Sequence, residues 1–445
     1  MEENIKERQS IYRRIIWDYA NAIIAQKNIV PNSFKFIIAQ IGAEEKKVDQ
    51  FAKDHGEICR EGDEEFIKMP MEHGAAFAKM MRNIGNISLA LEMIGVNAVI
   101  GMVSSYDGFL GDLMKQLFKD MPDILNGSDK EFKFSDILTY ADFNELKEVL
   151  VEKEIESLLR KNHVDQFQWL ETKLKIPIKD FKLFPEFVEI MERRNLFVHC
   201  KGVVSRQYIS QCKKNNVPLP DDFRPGTRLN ADVDYVWKAY KVLFQVGIML
   251  GFVMWHKLRP EETEEMVDSL SEVAYDLIRD EEYTLALDII DFALTNNSWS
   301  KKINYAQQLI FRVNKALSFH LRDMQDECDK IADSMDLTAA DPVYHLAVAV
   351  LKEEYETAYK IMDKIGKDSA MLGNYKTWPL FNKIRRECAF ISKFKDIYGE
   401  DYECNDTHVA DFEEVLKSAT EMVERAKQMM HDTGNDKNQH EQIEK

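Results

Sequence analysis

Apolar residues recur every three or four positions along most of this chain, the spacing that buries one face of an α-helix. IYRRIIWDYANAIIAQ (11–26) shows it, and VPNSFKFIIAQIG (30–42) begins another element at its proline. The acidic stretch KDHGEICREGDEE (53–65) reads as a loop, so residues 1–95 are expected to be helices with connecting loops, with no chemical signature. SSYDGFLGDLMKQLFKDMPDIL (104–125) is amphipathic and stops near Pro122, and FSDILTYADFNELKEVLVEKEIESLLRKN (134–162) starts at a Ser135 cap and continues as a long helix. KLKIPIKDFKLF (173–184) links it to PEFVEIMERRNLFVHCKG (185–202), a helix punctuated by Pro185 and Gly202. Three prolines make 203–230 largely loop, and a long apolar helix over 231–258 closes what reads as one helical domain, 96–258.

Residues 260–432 read differently, as helix pairs joined by short polar turns. EYTLALDII (282–290) aligns with EYETAYKIM (354–362) at an offset of 72, matching Tyr283 with Tyr355, Ala286 with Ala358 and Ile289 with Ile361. A small alanine after each tyrosine lets paired helices approach closely. The middle unit, 304–335, keeps the helical spacing and loses the tyrosine–alanine signature. The offset is about twice the 34-residue period of tetratricopeptide repeats, which this region resembles. The last residues, 433–445, lack apolar positions and read as a disordered tail.

Composition agrees with an all-α protein. With 18 glycines and 11 prolines in 445 residues, the chain has too few turn residues for an all-β fold and too much length for one core. Six scattered cysteines form no CxxC pair and no zinc-ligand spacing, so no metal or cofactor is expected and the thiols should be reduced and mostly buried in a cytoplasmic protein. The apolar runs 89–103 and 242–255 read as too short or too interrupted to span a membrane. A net charge of −18 excludes general polyanion binding, but 171–230 holds twelve Lys/Arg against seven Asp/Glu, leaving −23 on the rest. A basic island of that kind can recruit a polyanion locally.

The chemistry gathers on 185–202. At 100° per residue Phe187, Ile190, Met191, Phe197 and Val198 form one apolar stripe, and Arg194 falls in its middle. A guanidinium is rarely buried without a partner, so Arg194 either pairs with a carboxylate such as Glu154 or Glu156 or faces a groove. Asn195 and His199, four residues apart, share the edge of the stripe, where His199 either moves protons as an acid/base or caps the helix end. Arginine, amide and imidazole on one seam suit phosphoryl chemistry on RNA, whose 2′-hydroxyl supplies the nucleophile without a metal.

ERRNLFVHCKGVVSRQYI, with Arg194-Asn195 and His199 in the Arg–polar–His order, resembles the signature of the HEPN superfamily, and its upstream flanks are similar to prokaryotic members linked to phage defence. The resemblance spans about 95–258. It implies a four- or five-helix bundle that dimerises around a shared cleft and cuts RNA, leaving a 2′,3′-cyclic phosphate. Within it His199 would be the acid/base, Arg194 the phosphate clamp and Asn195 the positioning group, with Arg193, Lys201 and Arg206 as further substrate contacts. The whole would be a regulated toxin or antiviral effector whose repeats take a protein or peptide partner. A catalytically silent dimerisation or nucleotide-binding module on a repeat scaffold is the alternative.

Overall fold

In the computed structural model, residues 10–61, 64–127, 137, 139–176, 181–220 and 223–402 are described. The fold is all-α, 77% helix and 2% strand. The first helix, α1 (Ile11–His55), is 45 residues long and passes through Pro31 without ending, where the sequence placed the start of a separate element. Tyr12, Ile16, Tyr19, Ala20 and Ile23 are buried along it at helical spacing, and this anchors the helix on the N-terminal side of the proline. The expected loop at 53–65 is instead the end of α1 and a β-hairpin, with β1 (Glu57–Glu61) antiparallel to β2 (Glu64–Lys68) and Ile58 opposite Ile67.

Helix α2 (Met71–Asp120) runs for 50 residues, straight through position 95, where the sequence divided one domain from the next. Val99, Met102, Val103, Tyr106, Leu110 and Leu113 form its fully buried stripe. After a short 3-10 turn (Pro122–Gly127) the expected helix start at Ser135 lies outside the described residues, Ile137 is helical, and α3 spans Phe143–Leu159. Then follow α4 (His163–Leu174), α5 (Phe184–Cys200), α6 (Arg206–Lys214) and α7 (Val233–Leu258). The segment read as loop over 203–230 therefore contains a helix, α6, which Ser205 caps by accepting from the Tyr208 N–H. The two apolar runs belong to α2 and α7, each long and apolar enough to cross a membrane; the apolar window of α7 is 72% buried inside the protein and that of α2 33%.

Six helices follow as three hairpins: α8 (Thr263–Arg279) with α9 (Tyr283–Thr295), α10 (Tyr305–His320) with α11 (Gln325–Asp333), and α12 (Pro342–Leu351) with α13 (Tyr355–Ile365). Two more, α14 (Ser369–Thr377) and α15 (Cys388–Tyr398), end the described chain. The expected tail, 433–445, lies outside it. All three hairpins close in the same way. Glu281, Asp323 and Glu353 adopt left-handed backbone at φ 63°, 56° and 58°, and the next residue in each returns its N–H to the carbonyl five positions earlier. Ala286 and Ala358 are both fully buried where the second helices pack, although Ile361, matched with the buried Ile289, is half-exposed.

The described residues fall into two compact units, neither continuous in sequence. One draws on the described residues within 10–17, 112–156 and 245–402 and includes the hairpins. In it Asp120 accepts from Tyr12, Gln116 and Arg259. The other draws on Asp18–Gly111 and Ser157–Phe244 and holds the candidate site. Its core is an aromatic cluster in which Phe187 lies 5.1 Å from both Tyr106 and Phe167, while Tyr19 stacks on Phe109 at 4.3 Å. A non-glycine residue in the left-handed region costs about 1 kcal/mol. Glu353→Gly should therefore raise stability by about that amount, read as a higher midpoint in thermal denaturation.

Candidate active site

Helix α5 carries most of the expected site. Pro185 sits in its first turn, where a missing N–H costs nothing, and the helix ends with Lys201 and Gly202 at φ 52° and 79°. A Cβ on Gly202 would stand 2.5 Å from the Leu229 carbonyl, so only glycine fits there. The chain beyond is stitched to 226–229: the Val204 N–H donates to Thr227, Gly226 to Val204, and Leu229 to Gly202, with Val203 bridged to Arg228. This small ladder gathers Lys201, Arg206 and Arg228 around the C-terminal end of α5. All three are exposed and form no ion pair among the described residues.

The apolar stripe stops earlier than its spacing suggests. Phe187, Ile190, Met191, Leu196 and Phe197 are buried, but Val198, expected in the stripe, is 48% exposed. The last turn emerges into solvent and takes His199 with it, leaving that imidazole exposed and without a partner among the described residues. Asn195 is half-buried one turn earlier on the same side.

Arg194 is half-buried and paired, and the carboxylate comes from α2, not from Glu154 or Glu156. Its Nη2 donates to Asp107 Oδ2 at 2.8 Å. The other oxygen, Oδ1, lies 2.8 Å from Nε2 of His163, a buried residue in the first turn of α4 behind the Asn162 cap. One carboxylate thus ties together α2, α4 and α5. It holds Arg194 by one edge only, and Nε and Nη1 have no hydrogen-bond partner among the described residues. A guanidinium fixed in this way can offer its remaining N–H groups to two oxygens of a phosphate.

Arg193 occupies a different place from the phosphate contact expected of it. Its Nε donates to Glu189 at 2.7 Å and its guanidinium lies over the Tyr235 ring at 3.8 Å. Glu189, 4% exposed, also accepts from the hydroxyls of Tyr208 and Tyr235 at 2.7 and 2.8 Å. Burial and then the Glu189 charge push both phenols upward, so they stay protonated donors. Burial alone would lower the Arg193 pKa, but the Tyr235 and Glu189 contacts turn the net shift upward. The nearby Cys212 thiol is pushed up to about 12 by burial and then by Glu189, which removes it as a nucleophile near neutral pH. Glu192 is raised by burial against the opposing pull of Arg194. The cysteines divide more evenly than expected, with Cys212 and Cys328 buried and Cys200 and Cys388 exposed.

Asp107, His163 and Glu189 are missing from the site read in sequence. Asp107 carried a usable signal, being an acid directly after Tyr106 and four positions past Val103 in an apolar stripe. Among the described residues, no group of three His, Cys, Asp or Glu side chains is arranged to hold a metal ion. Compared with protein families, curated proteins and solved structures, the chain finds no match. Asp107→Asn leaves Arg194 and His163 without their shared acceptor charge. It should cost about 1–2 kcal/mol in urea denaturation, the half-exposed carboxylate keeping the loss below that of a fully buried pair.

Proposed function

We propose that the chain is a metal-independent endoribonuclease of HEPN type, acting as a cytoplasmic, regulated toxin or antiviral effector. The observation that carries this reading is Arg194, held by Asp107 at one edge with Nε and Nη1 left over, on the helix whose exposed end presents His199. The uncommitted basic residues Lys201, Arg206 and Arg228 surround that end, which suits a polyanion in a molecule otherwise strongly acidic.

In this reading Arg194 grips the non-bridging oxygens of one RNA phosphate, and Asn195 orients the ribose. The 2′-hydroxyl attacks its own phosphorus while an imidazole removes the proton. The P–O5′ bond breaks, the leaving oxygen takes a proton, and the products are a 2′,3′-cyclic phosphate and a 5′-hydroxyl. Arg194 offsets the charge that gathers on the phosphorane oxygens. Helix geometry adds a constraint. Five residues of α5 place Arg194 and His199 about 7.5 Å apart along the axis and roughly 140° around it, so one chain does not bring both to a single phosphate by helix register alone. A homodimer that faces two α5 ends together supplies His199 from one chain beside Arg194 of the other and provides separate acid and base imidazoles.

The three hairpins, with their shared turn geometry, read as a degenerate tetratricopeptide-like array. A groove there of about 230 Å³, lined by Tyr275, Asn314, Tyr344, Asn374 and Trp378 among others, is where we place a protein or peptide partner. The Asp107 ion pair favours one other reading, a catalytically silent dimerisation or nucleotide-binding module in which Arg194 only joins helices.

The test uses purified full-length protein and single-stranded RNA in excess EDTA. Wild type should cleave, and His199→Ala should cut 10²–10⁴-fold more slowly with an unchanged circular-dichroism melt. Equal cleavage by the two proteins, or loss of activity in EDTA, would contradict the mechanism. A wild type that dimerises and leaves RNA intact would favour the silent module.

A further inference from the structure

The groove on the repeat hairpins is built from successive helices: Tyr275 comes from α8, Asn314 from α10, Tyr344 from α12, and Asn374 and Trp378 from the end of α14. Asn314 is the unexpected residue. It lies among the buried Phe311, Val313, Ala316 and Leu317, and is itself only 4% exposed. Its backbone carbonyl accepts from Ser318, but its carboxamide has no hydrogen-bond partner among the described residues. Neither carboxamide atom is sealed from solvent, so what little surface Asn314 keeps includes its polar tip, and that tip opens into the groove. An amide held at such depth ordinarily has partners, and an apolar side chain of the same size would pack there without needing any.

The polar groups around it are uncommitted too. The Tyr275 and Tyr344 hydroxyls and the Trp378 indole N–H have no partner among the described residues, and Asn374 reaches only Met371 Sδ at 3.6 Å. Burial raises the Tyr275 phenol against the pull of Arg279, and burial and then Asp341 raise that of Tyr344, so both stay protonated and able to donate.

No lining residue is charged. Three aromatic rings can cage a cation, but no carboxylate lines this site. Arg385, 8% exposed and bonded through Nη2 to the Trp378 carbonyl, has no carboxylate partner either, which sets the local charge against a cation. The ligand is therefore neutral and carries a donor beside an acceptor. A carboxamide offers that same pair, and in an extended peptide the N–H and C=O of one residue point to the same side and match it. The groove, about 230 Å³, is smaller than the ~300–1,000 Å³ of sites for drug-sized ligands and accommodates a single side chain of a passing segment.

We propose that the groove takes an extended, uncharged peptide segment of a protein partner, with the Asn314 carboxamide pairing with the main-chain N–H and C=O of one residue and an apolar or aromatic side chain seated among Tyr275, Tyr344 and Trp378. This rests on the reading of the groove as the partner's site and adds what is recognised there; it does not depend on the ribonuclease reading.

The test uses full-length protein and phage-displayed random peptides, selected on wild type after counter-selection on Trp378→Ala. Recovered peptides are synthesised with a fluorescein cap at one end and an amide at the other, and titrated by anisotropy. They should share an apolar or aromatic residue within an uncharged stretch. Asn314→Leu should weaken binding about tenfold or more and melt no lower than wild type, since its carboxamide has no internal partner to lose. Methylating the one backbone nitrogen that meets Asn314 should weaken binding to wild type by a similar factor and have little further effect on Asn314→Leu. Peptides that need Trp378 but are indifferent to Asn314→Leu and to backbone methylation would overturn the main-chain pairing and leave the groove as the partner's site. Recovery of no peptide that needs Trp378 would overturn both. A lower melting temperature for Asn314→Leu would make the amide structural and also overturn the proposal.

Discussion

Asp107 offers its two oxygens to two different helices, and the candidate site takes its form from that division. His163 on α4 holds one oxygen and Arg194 on α5 the other, each at 2.8 Å. The aromatic cluster behind them fixes the same three helices, with Phe187 of α5 against Tyr106 of α2 and Phe167 of α4. Apolar packing sets how closely the helices approach. The carboxylate then sets which edge of the guanidinium is engaged and which is left for a ligand. An arginine in the same stripe without Asp107 would have to swing towards water or draw water in.

The adjacent arginine shows how much one helical step matters. Arg193 is turned about 100° from Arg194 and meets Glu189, Tyr235 and a cavity instead of Asp107. One has a single contact and spare donors; the other is held by an ion pair and an aromatic ring. Glu189 therefore organises a second polar centre in the same unit. Its two phenol donors and its arginine are satisfied internally, whereas Glu186, one turn earlier on the same helix, is not.

Sequence patterning located the long helices and the helix pairs because burial of one face leaves a regular trace. Pro185 and Gly202 bounded α5 to within a residue or two, as their backbone chemistry requires. It misread features whose cause lies elsewhere in the fold. Pro31 has the look of a helix start, yet α1 continues through it, with buried Tyr12, Ile16, Tyr19 and Ile23 packed before it and Phe34, Ile38 and Ile41 after it. The hairpin was hidden by the charges of EICRE and EEFIK, although the Gly62-Asp63 dipeptide between them is a turn signal. Helix α6 was masked by the prolines that follow it. The partner of Arg194 lies 87 residues away in sequence, beyond the reach of any local period. The likeness of the first and third hairpins was legible through Tyr283 and Tyr355, but what they share with the middle hairpin is a backbone feature, Asp323 taking the left-handed turn of Glu281 and Glu353, which no side-chain pattern displays.

The central claim is that a phosphate held by Arg194 is attacked by the neighbouring ribose hydroxyl under imidazole catalysis. It is tested most directly by an RNA strand carrying a single 2′-deoxy nucleotide on the 5′ side of a mapped cut, with products read by mass spectrometry. The account predicts that the unmodified strand yields a 2′,3′-cyclic phosphate and a 5′-hydroxyl, and that the deoxy substitution abolishes that cut alone. Cleavage that persists at the deoxy position, or products bearing a 5′-phosphate, would contradict it.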